Sequence, residues 1–566
     1  MKASDYIVDF FINQGITDVF GIPGGIVLDL LESFDKRKSK IKAHLNYHEQ
    51  SSAFAACGYS QISGKPGLAY ATKGPGVTNL ITGITNAYFD SIATIFISAH
   101  SGIPIDGVRF VEKQEFDTIR MVSGITKYAE RVINPMDVRF SLEYAYYMAT
   151  TGRPGPVFLD FSGAVLKADI DPEVQKAFVC SECNMSIEIS DIIDKIKGAL
   201  KISKRPVLLI GDGIRQSKTK KALLEFVEKI KIPVVSSRFS QDILAESGYY
   251  YGFVGSHATR ASHFILSKCD LVISFGNRIS YNKTSKSFEN FTQKPRIINI
   301  EIDKNEFSFQ IPNIENIYAD LGILLPILAL NSWEALLDNN WILTCIKIKD
   351  TLINYDNEFP VKLLANSIKQ LENNMVITSD VGKNEIWLSH AYAISGVNNR
   401  ILYSKSFGVS GCSLPKAIGA YYACKTRVIC FTGDVGIQMN LQELQYIAHE
   451  NIPVTIILLN NFSSGLIRDE QKIKFNANFI HSTISSGYSV PDFSAISKAF
   501  LIPYVCITDN YEVSDLKTFF CSEGPMFIEI KVDEKVDIHP SLPKGRPYQD
   551  FDPKLDTGLY KYLDNL

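Results

Sequence analysis

Long hydrophobic runs are missing from this chain. No stretch of its 566 residues approaches the roughly 20 consecutive apolar positions of a membrane-spanning helix, so no membrane partner is expected. A charge excess is missing too: 58 Lys and Arg against 61 Asp and Glu leave a net charge of −3. That balance excludes a nucleic-acid binder held by phosphate attraction, and equally an acidic disordered scaffold. Cysteine is sparse, ten in all, and sits mostly inside apolar runs such as GAYYACKTRVICF. Cysteines so placed behave as small hydrophobes rather than as a secreted disulfide framework, which points to a reducing, cytoplasmic compartment. Cys180 and Cys183 form a Cys-x-x-Cys pair with no second pair or His pair nearby, and are read as chance spacing in a linker rather than a zinc site. The opening MKASDYIVDFF lacks the basic, apolar and small-residue succession of a secretion signal. Short-period repeats and low-complexity tracts are absent. What is present is an ordinary globular composition, 46% hydrophobic and 21% charged, in a chain long enough to bury a core without disulfides or structural metal. At about 150 residues per domain, the length predicts three or four domains.

Three stretches share one grammar. Residues 1–165 hold DVFGIPGG, GLAYATKGPG, ATIFISAHSG and GPVFLDFSG; residues 187–335 hold PVLLIGDG, PVVSSR, LVISFGNR and RIINIEID; residues 360–532 hold MVITSDVG, VICFTGDVG, VTIILLNN and MFIEIKV. Each apolar run ends in small or turn residues and is followed by a helical pattern, as parallel strands covered on both faces are. The predicted fold class is α/β, three doubly wound parallel-sheet domains, with ligands at the carboxyl ends of strands. Residues 166–186, polar and mixed, read as a linker, and 331–358, mixed and helix-like, as a second one. Residues 533–566, with Pro540, Pro543, Pro547 and Pro553, read as a tail draped over the surface.

Two constellations carry chemistry. Asp434 and Asn461 each end an apolar strand, 27 positions apart, a spacing that a βαβ unit closes onto one sheet edge. A carboxylate and an amide oxygen there make a hard-oxygen site suited to Mg²⁺ or Ca²⁺, with Gly433 and Gly436 leaving room for a phosphate near backbone N–H groups. Gly-Asp and Asn-Asn are also ordinary turn formers at strand ends, and these residues alone leave both readings open. Glu49 opens a helix of small residues, Ala53, Ala55, Ala56 and Gly58, which suits close packing against another helix or subunit. It is either an N-terminal charge favoured by the helix dipole or a buried functional acid.

Taken together, Glu49-Gln50 before a small-residue helix, then Gly74-Pro75-Gly76-x-Thr78-Asn79, then Gly433-Asp434 and Asn460-Asn461, resemble the thiamine-diphosphate enzymes, in their acetolactate synthase-like branch. The resemblance runs from GITDVFGIPGG to SGLIRDEQ and takes in GRPGPVFLDF, GSHATRASHFILSKCDLVISFGNR and GCSLPKAIGA. It implies a pyrimidine-binding domain, a central domain and a diphosphate-binding domain. It also implies thiamine diphosphate and Mg²⁺ as cofactors, and a homodimer or homotetramer whose active sites lie at the subunit interface. The reaction implied is decarboxylation of a small 2-oxo acid, pyruvate by preference, with transfer of the two-carbon unit to an acceptor carbonyl.

Residue by residue, Glu49 matches the carboxylate that hydrogen-bonds N1′ of the aminopyrimidine and so favours the imino form that takes the thiazolium C2 proton. Asp434 and Asn461 match the metal ligands, with the backbone carbonyl of Ser463 as the third. Lys383 and Asn384 stand where relatives bind the diphosphate, and Gly433, Gly436 and Gly465 belong to the same cradle. Val435 replaces a frequent glycine, so the turn there must use ordinary dihedrals. Gly408 matches the glycine whose carbonyl accepts from the 4′-amino group. Ser410 stands where many relatives wedge a Met under the cofactor, which leaves space for Leu466 to fill. Pro23, Gly24 and Gly25 occupy the position at which decarboxylases of the family commonly carry a His pair, and the lack of that pair favours carboligation over aldehyde release. Gln114 matches a substrate-side glutamine of synthases.

Three positions depart from the amino-acid-pathway synthases: Lys113 for Phe, Gly163 for a tunnel Lys and Glu470 for an acceptor-pocket Trp. They imply a different, more polar acceptor, and a carboligase acting on a keto-sugar nucleotide is the second reading. A catalytically silent binding subunit is the third. Arg153, Gly211, Gly213, His257, Gly276, Arg278, Asp303 and Asp320 fall on the flavin-contacting motifs of synthases, which implies FAD in a structural role. Asp212, Ala258 and Ala319 replace glycines there, and the alternative is an empty or ADP-binding central domain.

Overall fold

A computed structural model describes the chain except residues 103–104, 106–107, 110–111, 181–188, 280–293, 309–312, 334–338 and 509–515. Cys183 and the end of the 166–186 stretch lie outside the described residues. The first sheet contains β1 (Asp18–Gly21), β2 (Lys42–Leu45), β3 (Gly67–Ala71), β4 (Thr94–His100), β5 (Tyr128–Val132) and β6 (Pro156–Ser162), in the order β2-β1-β3-β4-β6-β5. The second contains β7 (Pro206–Ile210), β8 (Val234–Ser237), β9 (Tyr250–Val254), β10 (Leu271–Phe275), β11 (Arg296–Glu301) and β12 (Ile314–Tyr318), in the order β12-β11-β10-β7-β8-β9. The third contains β13 (Val376–Ser379), β14 (Ile401–Leu402), β15 (Val428–Gly433), β16 (Val454–Asn460), β17 (Tyr504–Ile507) and β18 (Met526–Lys531), in the order β14-β13-β15-β16-β18-β17. The pairings between these strands are parallel, as the unbroken apolar runs predict, and β3, β4 and β16 are buried along their whole length. The first and third sheets share one strand order. The second has the doubly wound order with its switch point between β7 and β10.

The helices that matter below are α1 (Glu49–Ser63), α2 (Pro75–Asp90), α3 (Arg260–Lys268), α4 (Asn339–Leu352), α5 (Lys383–Ser395), α6 (Ser413–Cys424), α7 (Asp434–Met439), α8 (Gly465–Lys474) and α9 (Thr557–Asn565). The chain groups into two compact units. One is Met1–Glu182, Asn374–Glu385 and Arg400–Glu534, and holds the first and third sheets; the other is Cys183–Asn373, Ile386–Asn399 and Lys535–Leu566, and holds the second.

In the first unit, α1 and α6 occupy equivalent places, each between the second and third strands of its sheet, and they pack on each other. Small residues make this possible. A Cβ on Gly58 would lie 2.2 Å from the Lys416 carbonyl oxygen, and one on Gly419 1.8 Å from that of Ala55. The two backbones therefore meet where neither helix has a side chain. The opposite flank of α1 meets α2 as closely, with a Cβ on Gly83 falling 2.2 Å from that of Ala53. Crossed on both sides, α1 is buried from Glu49 through most of its length.

Two segments of the second unit differ from their sequence reading. Part of the 331–358 stretch is α4, whose Trp341, Cys345, Ile348 and Leu352 recur with helical spacing and are buried in the core beside α3, so this segment is a core helix rather than a linker. The proline-rich terminus is no surface drape. Its Tyr548 and Leu563 are buried in the same core, the Tyr548 ring stacks on His263 at 3.7 Å, and α9 closes the chain. Among the described residues no helix is long and apolar enough to cross a membrane.

The helix crossing makes one clear demand. Gly419→Val is expected to lower the stability of the first unit by about 3 kcal/mol or more, because the clash is with backbone that cannot rotate away. Gly124→Ala, whose Cβ meets nothing within 4 Å, should leave the thermal melt followed by circular dichroism unchanged.

Candidate active site

The carboxyl edge of the third sheet collects one set of expected residues. Gly433 pairs in register with Leu459, so β15 and β16 end side by side and deliver Asp434 and Asn461 to the same edge. Asp434 is the first residue of α7 and is buried; its Oδ1 accepts from the Val435 amide at 3.0 Å, while Oδ2 is buried with no hydrogen-bond partner. Burial raises its pKa to about 7 against the partial relief of the Val435 amide. The Tyr488 phenol lies beside the carboxylate without closing a well-formed hydrogen bond. Val435 keeps ordinary negative φ, as its β-branch requires.

The loop after β16 is held in an unusual shape. Phe462 has φ +52°, its amide donates to Asn460 Oδ1 at 3.1 Å, and Asn460 Nδ2 in turn donates to Glu529 at 2.7 Å. Asn461 Nδ2 donates to Ser463 Oγ at 2.8 Å. A non-glycine residue in this region is strained and persists only where its surroundings fix it, as they do here. Lys383 and Asn384 begin α5 at the same edge. The Lys383 ammonium pairs with Asp469 at 2.9 Å, and its methylenes lie where a Cβ on Gly465 would be, 2.8 Å away. Asn384 Nδ2 donates to the Asp380 carbonyl at 2.8 Å. Leu466, in the first turn of α8, is half-buried.

Sequence reasoning missed Asp380. It follows β13, is fully buried, accepts from the Ser413 amide at 2.8 Å and Thr432 Oγ1 at 2.7 Å, and lies where a Cβ on Gly436 would be, 2.5 Å from Oδ2. Burial raises its pKa. It ties α6 to the end of β15, and the signal available for it was the same one that pointed to Asp434, an acid at the end of an apolar strand.

The carboxyl edge of the first sheet collects the second set. Glu49 is buried at the head of α1, after His48, whose Nδ1 accepts from the Gln50 amide. Its Oε2 accepts from Asn79 Nδ2 at 2.9 Å, and its Oε1 lies 3.3 Å from the place of a Cβ on Gly76. The Gly-Pro-Gly-x-Thr-Asn motif thus forms the first turn of α2 over this acid. Gln114 is exposed, with φ +63°, and lies against Gly74, itself at φ +69°. Its neighbour Glu115 accepts from the Ser101 amide at 2.8 Å and from the Lys73 ammonium at 2.9 Å; burial works against the carboxylate, but these partners hold its pKa below the usual value. Pro23, Gly24 and Gly25 follow β1, and a Cβ on Gly24 would run into Thr72 at 2.3 Å.

One residue joins the two sets. Asn440, directly after α7, accepts from Ser51 Oγ at 2.8 Å and donates to Gln50 at 3.2 Å and to the Gly411 carbonyl at 2.7 Å. Gly408, at φ +65°, and the half-buried Ser410 belong to the loop that ends at Gly411.

In the second unit, Gly211, Gly213 and Gly276 meet at the switch point. Gly213 N donates to Gly276 O at 2.9 Å, and a Cβ on Gly211 would fall 2.2 Å from that oxygen. Arg278 pairs with Glu306 at 3.0 Å. Asp303 and Asp320 accept from the amides of Asn305 and Gly322. The His257 carbonyl accepts from His390 Nε2 at 3.2 Å. Arg153 belongs to the first unit, where its Nε donates to Ser91 Oγ at 2.8 Å. Among the departures, Asp212 pairs with Arg215, which also reaches Asp242 at 2.7 Å.

The site's residues fit a divalent cation. Asp434 presents an orphaned buried carboxylate oxygen, Asn461 adds an amide beside it, and the surrounding donors are hard oxygens. The metal-free protein should show the cost. Because the folded pKa of Asp434 lies above its unfolded value, the penalty is absent below about pH 4 and fully present above about pH 7. A rise from 3.8 to about 7 corresponds to on the order of 4 kcal/mol. Denaturant titrations of metal-free protein are expected to show Asp434→Asn more stable than wild type at pH 8 and little different at pH 4.

Comparison with known proteins agrees with this geometry. Residues 1–121 match the thiamine pyrophosphate enzyme N-terminal TPP binding domain, 193–328 the central domain and 380–530 the C-terminal TPP binding domain. The acetolactate synthase isozyme 2 large subunit of Escherichia coli strain K12 is 30% identical over 553 residues, covering 96% of this chain and 98% of that protein. The probable acetolactate synthase large subunit of Methanocaldococcus jannaschii is 30% identical over 570 residues, covering 96% and 94%. The acetolactate synthase large subunit of Lactococcus lactis subsp. lactis is 29% identical over 557 residues, covering 96% and 95%. Three matched domains in order, over three parallel sheets, and a relative aligned from end to end make this chain a member of the thiamine pyrophosphate enzyme family, in its acetolactate synthase-like branch.

Proposed function

We propose that this chain is a thiamine-diphosphate- and Mg²⁺-dependent carboligase of the acetolactate synthase type, which decarboxylates pyruvate and passes the two-carbon unit to an acceptor carbonyl. The observation that carries the reading is the buried Asp434 oxygen left without a partner on the sheet edge that Asn461 shares. Asp434, Asn461 and the Ser463 carbonyl would hold the cation, with Lys383 and Asn384 toward the diphosphate and Gly408 toward the aminopyrimidine. When bound, the thiazolium supplies the electron sink that lets a 2-oxo acid lose carbon dioxide. The chain's own part is to hold and shield. Glu49, aimed by Asn79 and buried, would hold a proton at the pyrimidine N1′. Gln114, packed against Gly74, would orient the substrate.

The acid and the cation site belong to domains bounded at 1–165 and 360–532, with the central domain at 187–335, and the active assembly is a homo-oligomer that completes each site across its interface. The segment from α8 onward supports this: Ile467, Ile473, Phe475, Ile480 and Ile484 are 50, 80, 57, 54 and 52% exposed, an apolar display that a lone subunit would leave in water. FAD in a structural role is read at the switch point between β7 and β10, from the match of Gly211, Gly213 and Gly276 to the flavin-contacting motifs of synthases. Lys113, Gly163 and Glu470 favour a polar acceptor, so a keto-sugar is the acceptor to test beside a second pyruvate. Retention of Glu49, Asp434 and Asn461 argues against a silent subunit.

Incubation with pyruvate, thiamine diphosphate and Mg²⁺, read by mass spectrometry over a panel of acceptors, tests the reading. Acetolactate from pyruvate alone is the expected product, and carbon dioxide release only on adding a keto-sugar would move the acceptor. Glu49→Gln should lower turnover by roughly 100-fold or more with an unchanged circular dichroism spectrum. Phe475→Glu together with Ile473→Glu should shift the light-scattering mass to that of one subunit and abolish turnover.

A further inference from the structure

The second unit contains a cavity that the reading above does not use. It holds about 160 Å³ and lies along β9, the edge strand of its sheet, between α3, α4 and the last two turns of α5. None of the eight residues matched to the flavin lines it. The edge strand is irregular there: its register with β8 shifts between Val234 and Ser236, and Gly252 has φ +110° with Thr259 Oγ1 2.1 Å from the place of its Cβ. Bulged edge strands of this kind recur beside binding sites.

The lining is unevenly satisfied. Arg260 is 2% exposed; its Nε and Nη2 form a two-pronged pair with Asp356 at 2.8 and 2.9 Å, and Nη2 also reaches the Pro553 carbonyl. Its third nitrogen, Nη1, is buried with no partner, and so is the Tyr251 hydroxyl. Lys349 gives one hydrogen bond to the Tyr250 carbonyl at 2.8 Å, and an ammonium has two more to give. Asp356 is consumed by Arg260. Burial holds His390 neutral, with its pKa pushed down to about 4, and also lowers that of Lys349. The lining therefore carries one positive charge, that of Lys349, which lies over the Tyr251 ring and feels Asp350 without forming an ion pair, and two orphaned donors, in walls otherwise built of Tyr250, Tyr392, Leu352 and Ala393.

These complement a hydrogen-bond acceptor with a single negative charge and an apolar body. An engineered cavity of about 150 Å³ suffices for benzene, so the volume admits one small organic acid and no nucleotide. We propose that this cavity binds a small monocarboxylate with an apolar body, its carboxylate facing Lys349, Arg260 and Tyr251. The assignment stands apart from the carboligase reading, since it concerns binding alone.

Calorimetric titration of the full chain, loaded with thiamine diphosphate and Mg²⁺, tests it with benzoate as probe and benzamide as its uncharged counterpart. Saturable benzoate binding at one site per chain is expected. Benzamide and the half-buried Lys349→Met should each weaken it by roughly tenfold or more, the loss of one charge-assisted hydrogen bond. Ala393→Phe, which fills the cavity from a half-exposed position, should abolish it. No saturable benzoate binding overturns the proposal. So does benzamide binding as tightly, or unchanged affinity in either variant while its thermal melt matches wild type.

Discussion

The crossing of α1 and α6 is the constraint on which the first unit depends. Two glycines, Gly58 and Gly419, let carbonyl oxygens of the opposite helix approach far inside the van der Waals contact distance of a Cβ. Such an approach fixes the distance and rotation between the two helices far more tightly than interdigitated side chains would, because backbone does not change rotamer. Each helix follows the second strand of its own sheet, so the crossing also fixes one sheet against the other. From it follow the Asn440 bridge to Gln50 and Ser51 and the place of Glu49.

A second consequence is electrostatic. Asp380, Asp434 and Glu443 all lie buried in this unit with pKa values raised by desolvation. Asp380 and Glu443 are answered by donors: Ser413 and Thr432 for the first, Asn46 and the Tyr47 amide for the second. Of these three, only Asp434 keeps an oxygen with no donor. A neutral partner would have silenced that charge, and leaving it open is what a site waiting for a cation requires.

Much of this was legible in the sequence, because strands buried on both faces announce themselves as unbroken apolar runs, and Asp434 and Asn461 end two of them. Motif order carried Glu49 and Asn79, which neither composition nor periodicity distinguishes from any helix-capping acid and amide. What could not be read is what distant segments do to one another. Prolines 540 to 553 said tail, yet Tyr548 stacks on His263, some 285 positions earlier, and no local pattern encodes that partner. Trp341, Cys345, Ile348 and Leu352 did carry a helical period, but a break of polar residues on both sides disguised a core helix as a connector. Asp380 ends an apolar run as Asp434 does, but its role in tying Ser413 to Thr432 takes shape only once β13 and β15 pair.

The first unit is not continuous along the chain: residues 183–373 intervene between its halves. On a ribosome, α1 emerges about 350 residues before α6. At about 5–20 residues per second that is a wait on the order of half a minute. Throughout it, a helix made of alanine, serine and glycine, and carrying an acid destined for burial, has no counterpart to close over it. A nascent polypeptide of this design therefore completes its second unit's sheet while its first is still half-built, and vectorial synthesis leaves the future coenzyme chamber among the last parts to take shape.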